Sequence, residues 1–300
     1  MRVIAPVTIT DAMLVAHNVA EPDAGETAWN AATAYAVGDL AIRTGTHRVY
    51  RRKIAGTTAT VPESDTTNWT ELKGTNKWAV FDQITNSQTS RASPLDITIK
   101  PGIVNSLGLV GLVGDTATVT MTDGASGPTV YSIAVDLTLT VVADWYAYYY
   151  EPFRQRASVV LVDLPPYADG HIRVQITGTS TVKCGGILVG TLYEFGSVEE
   201  GAEAGIVNYS RKVTDEQTGL VSVENRRYVK TLSARLMLDT AAVNVAHTVL
   251  QELLDVVCVW LGDNGKDIEA LQVVGFYKDF KLIVRYDNLS YYQLSIEGTV

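Results

Sequence analysis

The sequence predicts a mainly β protein with a smaller α+β unit at its C-terminal end. Three observations carry this. Val, Thr, Gly and Tyr recur throughout, a composition that favours strands and turns over helices. Short alternating runs are separated by Gly- and Pro-containing turns from about residue 76 to residue 196, the pattern of a β-sandwich or jelly roll. One amphipathic helix stands out, and it lies in the last third.

Length and composition frame the rest. At roughly 100–200 residues per domain, 300 residues suggest two or three domains. With 46% hydrophobic and 19% charged residues the chain is a folded one. A formal net charge of −9 argues against nucleic acid as a partner. The one basic cluster, Arg48 with Arg51, Arg52 and Lys53, reads as a solvated strand end.

Residues 1–26 read as an arm, with "VIAPVTIT" as an edge strand because Pro6 removes a ladder donor, and "EPDAGET" as a linker. Residues 27–75 form a small β module. "DLAIR", the turn "TGTH" and "RVYRR" make a hairpin, and Trp29, Tyr35, Tyr50 and Trp69 are its natural core. Residues 76–196 form the sandwich. In "DTATVTMTD", Ala117, Val119 and Met121 face one way and Thr116, Thr118 and Thr120 the other. "TVYSIAV", "ASVVLVDL", "HIRVQITG" and "VKCGGILVGTLYEF" supply further strands. "DWYAYYYEPF" reads as a strand with Tyr146, Tyr148 and Tyr150 on one face and Trp145, Ala147 and Tyr149 on the other, one face core and one an interface.

Residues 197–206 read as an acidic linker, and 207–300 as the α+β unit. Its helix lies in "DTAAVNVAHTVLQELLDVV", capped by Asp239 or Thr240, with Gly262 past its end. "VSVENRRYVKTLSARLML" gives one or two strands before it; "ALQVVGFYKDF", "KLIVRYD" and "YYQLSIEG" follow it as strands.

Motifs for chemistry are sparse. His17, His47, His171 and His247 show no metal-ligand spacing, and no nucleophile elbow, P-loop or dinucleotide fingerprint occurs. "GDNGKDIE" resembles a calcium loop only loosely and reads as a polar turn. Cys184 and Cys258 read as buried thiols. The sequence predicts no enzyme, no metal, no cofactor and no membrane span; the paired carboxylates of a glycoside hydrolase would come together only in the fold.

Two stretches resemble known families. Trp29, Tyr35, Gly38, Asp39, Tyr50, Pro62 and Trp69 fall in the order seen in small chitin-binding-type carbohydrate-binding modules of families five and twelve. The resemblance implies Trp29, Tyr35, Tyr50 and Trp69 as carbohydrate-binding candidates. Where those modules place sugar-stacking aromatics, this chain has Arg51, Arg52, Lys53 and Ile54. The expectation is a scaffold with weak or altered glycan affinity.

The second stretch is longer. Ile9, Thr10, Asp11, Ala12, Met13 and Leu14, then the module, then Thr75, Asn76, Lys77, Trp78, Ala79, Val80, Phe81 and Asp82 resemble tail proteins of tailed bacteriophages over roughly residues 1–110. The resemblance implies a virion tail or baseplate component, made in a host bacterial cytoplasm. Its partners would be other tail proteins and copies of itself, as a trimer or ring, with host surface glycan as a further ligand. Trp78, Phe81, Trp145 and Tyr148 are the candidate assembly residues. The alternative is a lectin-like receptor-binding tail protein.

Overall fold

A computed structural model describes residues 1–84, 87–139, 144–150, 154–199, 201–214, 219–226, 228–263, 268–284 and 289–299. The chain is mainly β, 51% strand, so strand pairing rather than helix packing organises it. It divides into two compact units, one of Thr8–Ile187 and one of Met1–Val7 with Leu188–Val300. That division differs from the five consecutive segments expected from sequence. The first seven residues fold with the C-terminal unit, and the break near 187 falls inside the last strand assigned to the sandwich. Among the described residues no helix is long and apolar enough to cross a membrane.

The unit Thr8–Ile187 holds the hairpin module and a sandwich-like β assembly. The module is a three-stranded antiparallel sheet of Leu40–Arg43, Arg48–Arg52 and Trp69–Gly74. A five-stranded antiparallel sheet runs in the order Thr129–Asp136, Thr116–Asp123, Gly170–Thr177, Leu95–Ile99, Leu14–His17. The alternation in Thr116–Asp123 does what it predicts: Ala117, Val119 and Met121 are buried and the threonines between them half-buried. Ile172, Val174 and Ile176 continue that face on the neighbouring strand. Ser106–Val110, paired with Ser158–Leu161, is buried at every residue, so both its faces meet protein. Thr89–Ala92 pairs with Thr181–Cys184.

The aromatic run is not a strand. Trp145–Tyr150 is a short α-helix, and 151–153 lie outside the described residues. A helix brings residues four apart together: Trp145 stacks on Tyr149 at 6.1 Å between ring centroids, and Tyr146 lies 5.1 Å from Tyr150. "NKWAVFDQ" forms a 3-10 turn, Ala79–Phe81.

In the other unit, Arg2–Pro6 is an interior strand, correcting the edge-strand expectation. It pairs with Gly186–Glu194 on one side and, over Arg2 to Ile4, with Cys258–Leu261 on the other. Pro6 is tolerated because the second pairing stops before it. Cys258–Leu261, Gln272–Val284, Leu289–Gly298 and Tyr228–Asp239 follow as antiparallel neighbours. Gln272–Val284 is one 13-residue strand with a register shift at Tyr277/Asp279, where two strands were expected. The expected linker 197–206 also pairs: Ser197–Val198 and Glu203–Asn208 both bond to Tyr228–Asp239.

The expected helix forms, as a 3-10 turn Thr240–Ala242 leading into Val243–Glu252. Asp239 accepts from the Ala241 amide at 3.1 Å, the predicted cap. Ala246, Leu250 and Leu253 join Trp260, Tyr292 and Leu294 in one buried cluster. Burying a Leu of this kind stabilises by about 1.5–3 kcal/mol.

Candidate functional site

The hairpin module is built around its own aromatic rings. Tyr35, Tyr50 and Trp69 are all buried and pack with Ala41, and the half-buried Trp29 packs against them. Tyr35 and Trp69 meet edge to face at 5.0 Å. The Tyr35 hydroxyl accepts from the Asn30 amide at 2.8 Å, and the Tyr50 hydroxyl pairs with Thr46 at 3.2 Å. Two guanidinium groups cover the outer rings: Arg52 lies 5.0 Å over Trp69, and Arg43 lies 5.2 Å over Trp29.

Arg52 corrects the solvated reading of the basic cluster. It is 3% exposed and donates to the carbonyls of Ile54 and Gly56. It thus pins the loop that follows the hairpin, at the place where the resembling modules carry a sugar-stacking ring. Of the four carbohydrate-binding candidates, three are buried core, and the ring of the fourth lies under Arg43. Stacking on a pyranose needs an open ring face, and these rings do not offer a pair.

A second constellation gathers the arm, the hairpin turn and the segment after the module. His47 ends the turn with φ of 55°, a left-handed backbone that non-glycine residues rarely adopt. Its ring lies between two carboxylates. Nδ1 lies 2.9 Å from Glu21 Oε2, and Nε2 lies 2.9 Å from Asp11 Oδ1. The ring stacks on Trp78 at 4.3 Å, and Phe81 meets Trp78 edge-on at 5.6 Å.

Glu21 also accepts from the hydroxyl of the fully buried Thr75 at 2.7 Å. Asn76 donates to Asp23 and to the Ser90 carbonyl, and its amide donates to Glu26 at 2.7 Å. Asp82 accepts from the amides of Gly74 and Ile84 at 3.0 and 2.9 Å and from the Ser87 hydroxyl. "EPDAGET" is therefore a bound strap, with each of its acids committed. Sequence reasoning missed the part played by Glu21, for which three acids flanking a Pro and a Gly were the available signal.

Around this constellation lies a cavity of about 320 Å³, lined by Thr8, Ile9, Thr10 and Asp11 from the arm, Thr46, His47 and Arg48 from the hairpin, and Gly74, Trp78, Phe81 and Asp82. Two of the assembly candidates, Trp78 and Phe81, belong to it. Trp78 is 8% exposed and Phe81 half-buried. Trp145 is 76% exposed on its helix; the Tyr148 side chain lies outside the described residues.

The remaining singled-out groups are structural. Burial holds the thiols of Cys184 and Cys258 up at about 12. His171 Nδ1 lies 3.0 Å from the Asp169 carbonyl, and His247 stacks beside Phe280 at 6.0 Å. Among the described residues no group of three or more His, Cys, Asp or Glu could hold a metal ion. In "GDNGKDIE", Asp263 is buried and bonds Arg2 at 3.1 Å, while 264–267 lie outside the described residues.

No protein-family model matches the chain, and no curated protein matches it either.

Proposed function

We propose that the chain is a structural adaptor of a bacteriophage tail tip or baseplate, non-catalytic, assembling with copies of itself and with neighbouring tail proteins. The observation that carries the reading is the strand pair Arg211–Thr214 and Val221–Glu224, in which all eight residues are exposed. An isolated two-stranded hairpin is marginal in water, yet this one presents Val213, Val221 and Val223, next to exposed Ile206, Tyr209 and Tyr228. Apolar surface of that kind fits a protein that is covered in its working state. The exposed rings of Trp145, Tyr146, Tyr149 and Tyr150 agree with it. The resemblance to tail proteins supports the virion setting, and the segments that carry it, 9–14 and 75–82, line one cavity together.

Light scattering of the purified chain tests this reading. The expected result is a defined homo-oligomer that Val221→Asp with Val223→Asp reduces to a monomer without unfolding it. A wild-type monomer, unchanged at high concentration, would remove the support. The lectin-like alternative draws on the cavity beside His47, not on the hairpin module's rings.

A further inference from the structure

The cavity beside His47 has a chemistry that selects among ligands, and that selection stands apart from whether the chain sits in a phage tail. Its volume of about 320 Å³ falls at the small end of the roughly 300–1,000 Å³ typical of small-molecule sites. Its charges are mixed. Asp11 and Asp82 oppose an anion, and Arg48 opposes a simple cation. Several of these groups are already engaged: Asp82 by two amides and a hydroxyl, His47 by two carboxylates, Arg48 by Glu71 at 3.4 Å.

What remains to meet a ligand is of another kind. The side chain of Asp11 is 72% exposed, so most of its acceptor capacity faces outward even while it contacts His47. Thr8 and Thr10 are exposed and bring two hydroxyls to the cavity. Phe81 is half-buried and supplies apolar ring surface at one side. Trp78 is nine-tenths buried, and its indole N–H has no acceptor among the described residues. A ligand suited to these groups is uncharged, small, rich in hydroxyls that both donate and accept, and able to lay C–H groups on a ring.

We propose that this cavity binds a single neutral sugar unit, with Asp11, Thr8 and Thr10 as the polar contacts and Phe81 as the apolar one. Any glycan recognition by the chain then resides here, in the cleft built by the arm and the 75–82 segment, and not on the hairpin's aromatic landmarks.

The test is saturation-transfer NMR and calorimetric titration of the full chain. The probes are the methyl glycosides of glucose, galactose, mannose, rhamnose and N-acetylglucosamine, with inorganic phosphate as the anionic comparison. The expected result is binding of at least one glycoside and none of phosphate. Asp11→Asn and Thr8→Val, both at exposed positions, each weaken that binding at least about tenfold with unchanged thermal melting, and Trp145→Ala leaves it intact. Four results would overturn the proposal: no glycoside binding at millimolar concentration, preference for phosphate, a glycoside whose affinity ignores both cavity variants, or loss of binding on Trp145→Ala. Loss on Trp145→Ala would place the sugar on the aromatic helix instead. None of these outcomes bears on the oligomer measurement, so the two readings fail separately.

Discussion

Replacing Trp69 by Ala separates a core ring from a binding ring. Trp69 is 2% exposed, touches Tyr35 edge-on at 5.0 Å, and lies 5.0 Å beneath the Arg52 guanidinium. Truncating a buried Trp costs about 3–5 kcal/mol. The aromatic pair accounts for about 0.5–1.5 kcal/mol of that, and the desolvated cation–π contact for up to about 2 kcal/mol. The loss also strands Arg52, whose buried guanidinium would then face a void. A core this small rarely supplies more than roughly 3–5 kcal/mol, so the substitution removes most of the module's local stability. Hydrogen exchange reads it by segment. Amides of Leu40–Arg43, Arg48–Arg52 and Trp69–Gly74 should lose protection, while those of Gly170–Thr177 keep theirs. Ile54→Ala, at a residue 52% exposed, should change nothing. Unchanged protection in Trp69→Ala would refute the reasoning and return the ring to the binding candidates.

Three further predictions follow from the same geometry. Burial, helped by the charges of Lys77 and Arg91, lowers the His17 imidazole from 6.5 to about 4. The unfolded chain therefore takes up the proton first, so stability is complete above about pH 6.5 and declines toward pH 4. At about 1.36 kcal/mol per pH unit the full effect is about 3 kcal/mol, and about 2 after allowing for the ring's partial exposure. Urea unfolding at pH 7 and pH 4.5 should show this loss, and His17→Asn should remove it; an acid limb that the variant leaves unchanged would contradict the assignment. A Cβ at Gly275 would lie 2.1 Å from the Glu297 carbonyl oxygen, so Gly275→Ala should cost at least about 1–3 kcal/mol in denaturant unfolding. Gly45→Ala meets nothing within 4 Å and should stay within about 0.5 kcal/mol. With their pKa held at about 12, Cys184 and Cys258 should resist Ellman's reagent at pH 8 in the native chain and both react in denaturant; rapid native labelling would contradict their burial.

Local patterns were readable in the sequence where one period governed a segment. The Thr/apolar alternation of Thr116–Asp123 folds as its period dictates, and the helix Val243–Glu252 forms with Ala246 and Leu250 buried but Val245 exposed. The hairpin Leu40–Arg43 with Arg48–Arg52 forms around its expected turn. Patterns failed where two periods were equally satisfied. Alternating Tyr and Trp in 145–150 fit a strand face and also the four-residue spacing of stacked helical rings, and the helix won.

Long-range pairing was not legible at all. Nothing local tells Arg2–Pro6 that its partners lie near 190 and 260. The cavity was visible only as separate pieces, because Asp11, Glu21, His47 and Trp78 meet through tertiary structure. Arg52 was misread because a basic side chain is usually solvated; here an aromatic face and two backbone carbonyls receive it.

The central claim is that this chain is a working part of a tail. Gold-labelled antibody against it, applied to phage virions released from cells that express it and viewed by electron microscopy, tests that proposal most directly. The account predicts label confined to the distal end of the tail. Virions that carry no label, with the protein found only in the lysed host, would contradict it.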